Sequence, residues 1–259
     1  MAAGRTCLII SFPMLATLAA LALGVFVAVG DTKDSSFLPD LWFMRIDTSD
    51  LSVTATEGSS SVTVSVPSSF PDFYTTGLWS YCYGNTSAGS DAVTACTKPS
   101  ANYYFNPLQI IEDTLDVTVA DVSDGVTNAI KSVKKASQAM IALYIIAVVL
   151  SFVELVTSVC ALHSRFTSCC NFLLGLVAAA AFIAASVMST VLYLLMKKAF
   201  NDSALNVTVT LNHTMYGLTW GGALASALAA VFWLFSIFCG STRRSHSEKA
   251  LVYEPVNHY

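Results

Sequence analysis

Charged side chains are scarce in this chain of 259 residues: they make up 12% of the sequence, whereas 54% of the residues are hydrophobic. A soluble domain usually carries about 25% charged residues and roughly 45–50% apolar residues. The charge deficit comes from four long apolar segments, and the rest of the chain has an ordinary polar composition. The composition therefore excludes a soluble globular protein and predicts an integral membrane protein.

Sequence signals of enzymes and of nucleic-acid-binding proteins are also missing. The net charge is -4 and no basic stripe runs along any segment, so nucleic acid is not expected as a partner. The four histidines are scattered without partners at metal-ligand spacing, and Cys169-Cys170 is an adjacent pair that does not form a C-x-x-C motif. No glycine-rich phosphate loop and no G-x-S-x-G motif occurs. We therefore predict a protein without enzymatic activity, bound metal or cofactor.

The four apolar segments are residues 7–30, 139–162, 172–196 and 217–239. Each has about the 20 residues that are needed to cross ~30 Å of hydrocarbon, so together they predict an all-α bundle of four transmembrane helices. The first segment has a second interpretation, because Ala28-Val29-Gly30 resembles the cleavage site of a signal peptide. The segment is longer than a usual signal core, and we expect the helix to be retained.

Four spans place both chain ends on one side of the membrane, together with segments 1–6, 163–171 and 240–259. The loops 31–138 and 197–216 then share the other side. Lysine and arginine lie close to the membrane on both sides, so the positive-inside rule does not decide the orientation. The N-glycosylation sequons indicate the orientation, because all of them fall in the two loops, and glycosylation requires the lumenal or extracellular side. These predicted acceptors are Asn85, Asn201, Asn206 and Asn212.

Cysteine positions favour the same orientation, with both termini in the cytosol. Only Cys82 and Cys96 lie on the outer side, where disulfides persist, so we predict that they form a disulfide with each other. The other five lie at cytoplasmic ends of spans, where reversible S-palmitoylation occurs; the alternative is that they serve as small apolar residues. The strongest palmitoylation candidates are Cys169 and Cys170, followed by Cys239 and Cys7.

Loop 31–138 is long enough to fold. The strict alternation of residues 61–66 predicts a half-buried strand, and residues 41–46 form a second candidate strand. Pro107 is expected to open a helix, and an apolar stripe at residues 122–133 predicts a helix that continues into the second span. The loop is acidic for most of its length, but no spacing of its carboxylates matches a calcium loop.

Gly77-Leu78-Trp79, followed by Cys82 and Cys96, forms a G-L-W-x-x-C…C pattern ahead of the second span. This pattern resembles the first extracellular loop of the claudin superfamily. The resemblance implies a small antiparallel extracellular sheet that the tryptophan and the disulfide pin to the membrane.

Flanking residues narrow the resemblance. Segments 43–50, 72–84 and 96–107, which include Asp47, Pro99 and Pro107, are similar to the fungal Sur-seven/PalI family, and the similarity extends over residues 1–240. The family implies a plasma-membrane protein of the cell cortex. One branch marks eisosome-type static membrane patches and affects wall synthesis and endocytosis, whereas the PalI branch assists ambient-pH sensing and tends to carry a long cytosolic tail.

The tail that follows the fourth span has only about 20 residues, which favours the cortical branch. The leading hypothesis is thus a membrane organiser, and the second is an accessory subunit of a pH-sensing complex. The implied partners are membrane lipids, including sterol-rich domains, and cortical or eisosome proteins. A homo-oligomer is an open alternative.

Glu154 is the one formal charge inside the four spans. Intramembrane carboxylates are costly and often functional. One interpretation is packing, with Thr17 or Ser186 as a hydrogen-bond partner; the other is proton or ion handling or lipid sensing, and it includes a transporter or channel as the third functional hypothesis. Small residues recur at every fourth position on two spans, and we expect them to make contacts inside the bundle. They are Ala16, Ala20, Gly24 and Ala28 on the first span and Gly217, Gly221, Ala225 and Ala229 on the fourth.

Overall fold

The computed structural model contains four long helices among the residues that it describes, which are 2–32, 41–49, 52–57, 60–65, 70–87, 90–106, 110, 124–161, 165–201 and 207–239. The helices are α1 (Ala2–Val29), α2 (Asp124–Ala161), α3 (Arg165–Asn201) and α4 (His213–Cys239). Each contains a stretch that is long and apolar enough to cross a membrane: Ser11–Val29, Ile130–Val159, Thr167–Asn201 and His213–Ile237. The predicted bundle of four transmembrane helices is therefore confirmed.

All four helices begin before the predicted spans, α2 and α3 by the most residues. α2 begins at Asp124, so the apolar stripe of the loop does continue into the second span as one helix. α3 runs to Asn201 and includes Lys197 and Lys198, both of which follow the apolar segment. Hydropathy marks only the part of a helix that lies in hydrocarbon, whereas good helix formers such as lysine carry the helix further.

The bundle buries many small residues, together with large ones such as Tyr144 and Phe182, and exposes large apolar residues on its outside. Ala20, Ala147 and Ala185 are fully buried, while Leu15 and Leu224 are exposed. This arrangement suits a surface that faces lipid, because close backbone packing replaces the hydrophobic effect as the force that holds membrane helices together.

The predicted small-residue contacts are found at some positions and not at others. A Cβ atom at Gly24 would lie 2.8 Å from Val148 and 2.9 Å from Phe182, so α1 does use this glycine inside the bundle. Ala229 is also buried. The prediction is wrong at Gly217, where a Cβ atom would meet nothing within 4 Å. This glycine lies in the first turns of α4 and is exposed.

Seven strands occur among the described residues: β1 (Met44–Asp47), β2 (Ser52–Glu57), β3 (Ser60–Ser65), β4 (Phe73–Thr76), β5 (Tyr81–Ser87), β6 (Ser90–Cys96) and β7 (Thr208–Leu211). Five of them form an antiparallel sheet in the order β6-β5-β4-β1-β7, which we call the sheet domain, and β2 and β3 form a separate hairpin. In the centre of the sheet domain Met44 pairs with Thr76 on one side and with Leu211 on the other. The second loop thus completes a sheet that the first loop begins.

The expected strand at 41–46 is β1, and the expected strand at 61–66 is β3, shifted by one residue. β4, β5, β6 and β7 were not identified from the pattern of the residues, although the claudin resemblance implied a small sheet. The helix that Pro107 was expected to open lies outside the described residues, apart from Ile110.

One continuous apolar core joins the bundle to the sheet domain. It includes Phe43 and Met44 beside β4, Tyr193 on α3 and Met215 on α4. The ring of Phe43 stacks on the ring of Tyr193 with 5.0 Å between their centroids. The sheet domain therefore packs directly on the ends of the helices.

Candidate functional sites

Cys82 and Cys96 form the predicted disulfide between the neighbouring strands β5 and β6, where they are direct partners in the register. Leu78 of the G-L-W motif is buried in the core, and Trp79 packs against the same core. The backbone carbonyl of Trp79 accepts a hydrogen bond from Ser100. The motif residues and the disulfide thus hold one end of the sheet domain together.

Position 77 requires glycine for a steric reason. A Cβ atom here would lie 2.8 Å from the backbone oxygen of Gly30 and 2.8 Å from the Cβ atom of Asp31. Real Cβ atoms do not approach other atoms so closely, so the chain that leaves α1 would have to move. The glycine of the motif therefore allows the sheet domain to lie against the end of the first span.

Asp31, directly after α1, is the residue on which this contact centres. It adopts a left-handed backbone conformation with φ of 55°. Its Oδ1 accepts a hydrogen bond of 2.8 Å from Thr75, and its backbone oxygen accepts one of 2.7 Å from Ser80. Its Oδ2 is buried and has no partner among the described residues. Burial raises the pKa of Asp31 from 3.8 to about 7, against the lowering effect of the Thr75 hydrogen bond.

Two helices are tied to the same strands by tyrosine and serine hydroxyls. Tyr193 on α3 donates a hydrogen bond of 3.0 Å to the backbone oxygen of Gly77. Tyr103 shares a hydrogen bond of 2.6 Å with Thr76, and Ser137 on α2 donates one of 3.0 Å to the backbone oxygen of Tyr103. We call Asp31 and these contacts the junction. Sequence analysis did not single it out, and the only signal was an acidic residue at the end of the first span.

An ion pair lies on the exposed face of the sheet domain. Arg45 on β1 bonds Asp91 on β6, and its guanidinium also lies 4.3 Å from the ring centre of Phe73. The hydrogen bond from Arg45 lowers the pKa of Asp91. Asp47 of the family motif accepts a hydrogen bond from the backbone of Ser49. The described residues contain no group of three or more histidine, cysteine or carboxylate side chains that could hold a metal ion.

Three of the four predicted glycosylation acceptors lie in the described parts of the chain. Asn85 is exposed on β5 and not in a loop, and its Oδ1 accepts a hydrogen bond of 3.3 Å from the backbone of Asp72. Asn201 is the exposed last residue of α3, and Asn212 caps α4 through a hydrogen bond of 2.9 Å from Thr214. Asn206 lies outside the described residues. Glycosylation itself stays a prediction.

Palmitoylation likewise stays a prediction. Cys169 is exposed and Cys170 is half-buried in the first turns of α3. The side chains of Cys7 and Cys239 lie outside the described part of the structure, as do Pro107 and the chain after Cys239.

Glu154 lies inside the bundle and is only 1% exposed. Its Oε1 accepts a hydrogen bond of 3.0 Å from Thr17, which confirms one of the two expected partners. Gly175 on α3 faces the carboxyl group so closely that a Cβ atom there would lie 3.0 Å from Oε1. The prediction that Ser186 is a partner of Glu154 is wrong. Ser186 follows Gly175 by 11 residues, or about 16 Å along a helix, and donates its hydrogen bond to the backbone oxygen of Thr219.

Further polar groups surround the carboxyl group. Thr157, one turn after Glu154, donates a hydrogen bond to Asn171 and so joins α2 to α3. The indole N–H of Trp233 on α4 lies near enough to interact with Glu154, although it makes no hydrogen bond of standard geometry within the described residues. We call Thr17, Ser151, Glu154, Asn171, Ser226 and Trp233 the Glu154 cluster. Every helix contributes to it.

These features define a class of protein: a multi-pass membrane protein whose four-helix bundle carries a disulfide-bridged, claudin-like antiparallel sheet, built from four strands between the first and second helices and one strand between the third and fourth. The chain matches the SUR7/PalI family over residues 9–233. It belongs to that family, so the resemblance seen in the sequence is confirmed.

Two curated yeast proteins are similar to the chain. The SUR7 family protein pun1 of Schizosaccharomyces pombe is 27% identical over 183 residues, which cover 64% of this chain and 60% of that protein. Protein PUN1 of Saccharomyces cerevisiae is 25% identical over 236 residues, which cover 86% of this chain and 89% of that protein.

Proposed function

We propose that the protein is a non-enzymatic organiser of cortical plasma-membrane patches, which acts through lateral assembly in the bilayer and through contacts of its sheet domain. The observation that carries this proposal is the junction. Hydrogen bonds from Tyr193, Thr75 and Ser80 connect the sheet domain to the helices, and a shared apolar core supports them. A contact made by the sheet domain is thereby transmitted to the part of the protein that meets lipid.

Membership of the SUR7/PalI family supports the same role, because the family resemblance implies static patches of the cell cortex. The bundle surface supports it as well. Large apolar side chains cover the outward faces of all four helices, which gives lipids and neighbouring proteins a broad contact area. In this proposal the partners are sterol-rich lipid and cortical or eisosome proteins.

The proposed orientation places the sheet domain outside the cell and both termini in the cytosol. The disulfide between Cys82 and Cys96 favours it, since structural disulfides persist in oxidising compartments. The sequon residues Asn85, Asn201 and Asn212 belong to the same side of the bundle as the disulfide in this topology.

Imaging of a fluorescently tagged full-length chain in its fungal host tests the proposal. We expect immobile plasma-membrane patches with little fluorescence recovery after photobleaching. Tyr193→Phe should increase the mobile fraction, because it removes a bond that couples the sheet domain to α3. Tyr83→Phe, which removes a hydroxyl from a half-buried tyrosine on β5, is the matched control and should leave mobility unchanged. Uniform, freely diffusing fluorescence of the unmodified chain would refute the organiser role.

A second candidate function is that of an accessory subunit in ambient-pH sensing, and Asp31 favours it. A carboxyl group with its pKa raised to about 7 changes charge over the pH range that an external sensor must read. Asp31→Asn distinguishes the two candidates. An organiser keeps its patches and its host keeps a normal response to alkaline medium, whereas a sensing subunit gives a host whose response to alkaline medium is altered.

A further inference from the structure

The Glu154 cluster contains a set of buried polar atoms that have no hydrogen-bond partner within the described residues. They are Ser151 Oγ, Glu154 Oε2, Asn171 Nδ2, Ser226 Oγ and Trp233 Nε1. All of these side chains are at most 1% exposed. Hydrocarbon offers nothing that could bond such groups, and membrane proteins satisfy nearly all of them internally. Five of them in one bundle call for a polar occupant.

The positions of the residues along the helices bring four of these atoms into one region, and the fifth, on Ser226, lies two turns before Trp233 on α4. Ser151 precedes Glu154 by one turn on α2, and Asn171 precedes Gly175 by one turn on α3. Gly175 is the residue that touches the Glu154 carboxyl group. Trp233 reaches the same carboxyl group from α4.

The chemistry of the unpartnered atoms selects the kind of ligand. The indole N–H of Trp233 can only donate a hydrogen bond, and Nδ2 of Asn171 can only donate as well. Oε2 of Glu154 accepts, and the hydroxyls of the two serines do both. A metal cation is bound by oxygen atoms, and the two N–H groups would repel it. An anion would meet the carboxyl group of Glu154.

Water fits both kinds of atom, because one molecule can accept from an N–H group and donate to a carboxyl oxygen. Buried waters typically make about three hydrogen bonds to groups that are otherwise unsatisfied. We propose that the bundle holds ordered water at the Glu154 cluster, bonded to Oε2 of Glu154, to Oγ of Ser151 and to the N–H groups of Trp233 and Asn171. The water then completes a hydrogen-bonded network to which all four helices contribute.

This proposal concerns the interior of the bundle and is independent of the organiser role. NMR of the full-length protein in lipid nanodiscs, labelled with ¹⁵N at its four tryptophans, tests it directly. We expect a cross-peak between water and the indole proton of Trp233, which Trp233→Phe identifies. Glu154→Gln should retain the cross-peak because the amide oxygen still accepts, whereas Glu154→Leu should abolish it.

Trp220 is the internal control for the NMR measurement. Its indole N–H donates to Thr190 at 3.3 Å on the exposed side of α4, so a water cross-peak there would report general access of bulk water to the helices. A Trp233 indole signal that is resolved but shows no contact with water would overturn the proposal.

A second measurement uses stability, so that the proposal stays testable if the NMR variants do not fold. In a hydrated site Ser151→Ala loses a hydrogen bond, and we expect the folding equilibrium constant to fall about fivefold. Ser158→Ala sets the scale, because Ser158 is equally buried on α2 and donates a hydrogen bond of 2.6 Å to Leu155. In a dry site Ser151→Ala would leave the protein equally stable or more stable, and that result would contradict the proposal.

Discussion

The hydroxyl of Tyr193, on a transmembrane helix, donates a hydrogen bond of 3.0 Å to the backbone oxygen of Gly77, which lies 116 positions earlier in the sheet domain. Both groups are buried, so neither can exchange this bond for one to bulk water. This hydrogen bond therefore fixes the position of α3, along the bundle axis, relative to the G-L-W motif.

We expect Tyr193→Phe to lower the free energy of unfolding by about 1–2 kcal/mol, because it leaves the buried Gly77 oxygen with only a long hydrogen bond of 3.5 Å from Thr76. Thermal or denaturant unfolding in detergent measures the change. Tyr83→Phe, at a half-buried position on β5, is the control and should change stability by less than about 0.5 kcal/mol. Equal effects of the two substitutions would mean that the Tyr193 bond contributes nothing specific.

Asp31 predicts a particular dependence of stability on pH. The folded state holds the proton of this carboxyl group up to a pKa of about 7, and the unfolded state releases it near 3.8. Between these values the folded state binds more protons, so the contribution of Asp31 to stability is complete below about pH 4 and is lost as the pH rises through 7. Asp31→Asn removes this dependence, and at pH 8 the variant should be more stable than the wild type.

The control for this experiment is a variant whose stability should depend on pH in the opposite direction. Arg45 lowers the pKa of Asp91, so the contribution of Asp91 is present at neutral pH and is lost on acidification. Asp91→Asn should therefore reduce stability at pH 7 and not at low pH, by a small amount because the pair is partly exposed. A stability difference between Asp31→Asn and wild type that does not vary between pH 4 and 8 would show that Asp31 does not titrate in this range.

Gly77→Ala should destabilise the protein by about 1–3 kcal/mol, since the added Cβ atom meets the backbone oxygen of Gly30 at 2.8 Å and the backbone would have to shift. Gly217→Ala is a matched control in open surroundings. There the better helix propensity of alanine should leave stability unchanged or raise it by up to about 1 kcal/mol. Melting temperatures of the two purified variants compare them, and a stable Gly77→Ala protein would contradict the proposed steric role.

Asn85 should carry a glycan in the native host. Its side chain is exposed, and its existing hydrogen bond uses Oδ1, which leaves the amide nitrogen available. Endoglycosidase treatment should increase the gel mobility of the wild-type chain, and Asn85→Gln should reduce that shift. Asn212→Gln is informative as a comparison, because Asn212 caps α4 close to the apolar segment. If the mobility shift were the same in Asn85→Gln as in the wild type, Asn85 would not be glycosylated, and the proposed orientation would lose one of its supports.

The features that sequence analysis predicted are those that depend on nearby residues or on simple counting. Twenty apolar residues in a row suffice to predict a span, and the two cysteines of the first loop were predicted to pair with each other, which the Cys82–Cys96 bridge confirms. Strand β7 was missed because it has only four residues and its partner β1 lies some 160 positions earlier. Nothing local distinguishes such a strand from a connecting loop.

The polar sites were predicted in part for a related reason. Thr17 was predicted correctly as a partner of Glu154. Ser186 was predicted wrongly, because it lies at a different position along the bundle axis from the carboxyl group. The position of a residue along the bundle axis depends on how far its helix extends past the hydrocarbon, and hydropathy does not reveal this distance. The junction at Asp31 arises from segments that only the folded chain brings together.

The position of β7 beside β1 also sets an order of events during synthesis. β4, β5 and β6 are consecutive in the chain, so their hairpins and the disulfide can form as soon as the first loop has been synthesised. The edge of β1 receives its second neighbour only after α2 and α3 have been made and inserted. Until then a bare strand edge is exposed, of the kind that pairs with other chains. Completion of the sheet domain is therefore a late event, which marks that the third helix has been inserted.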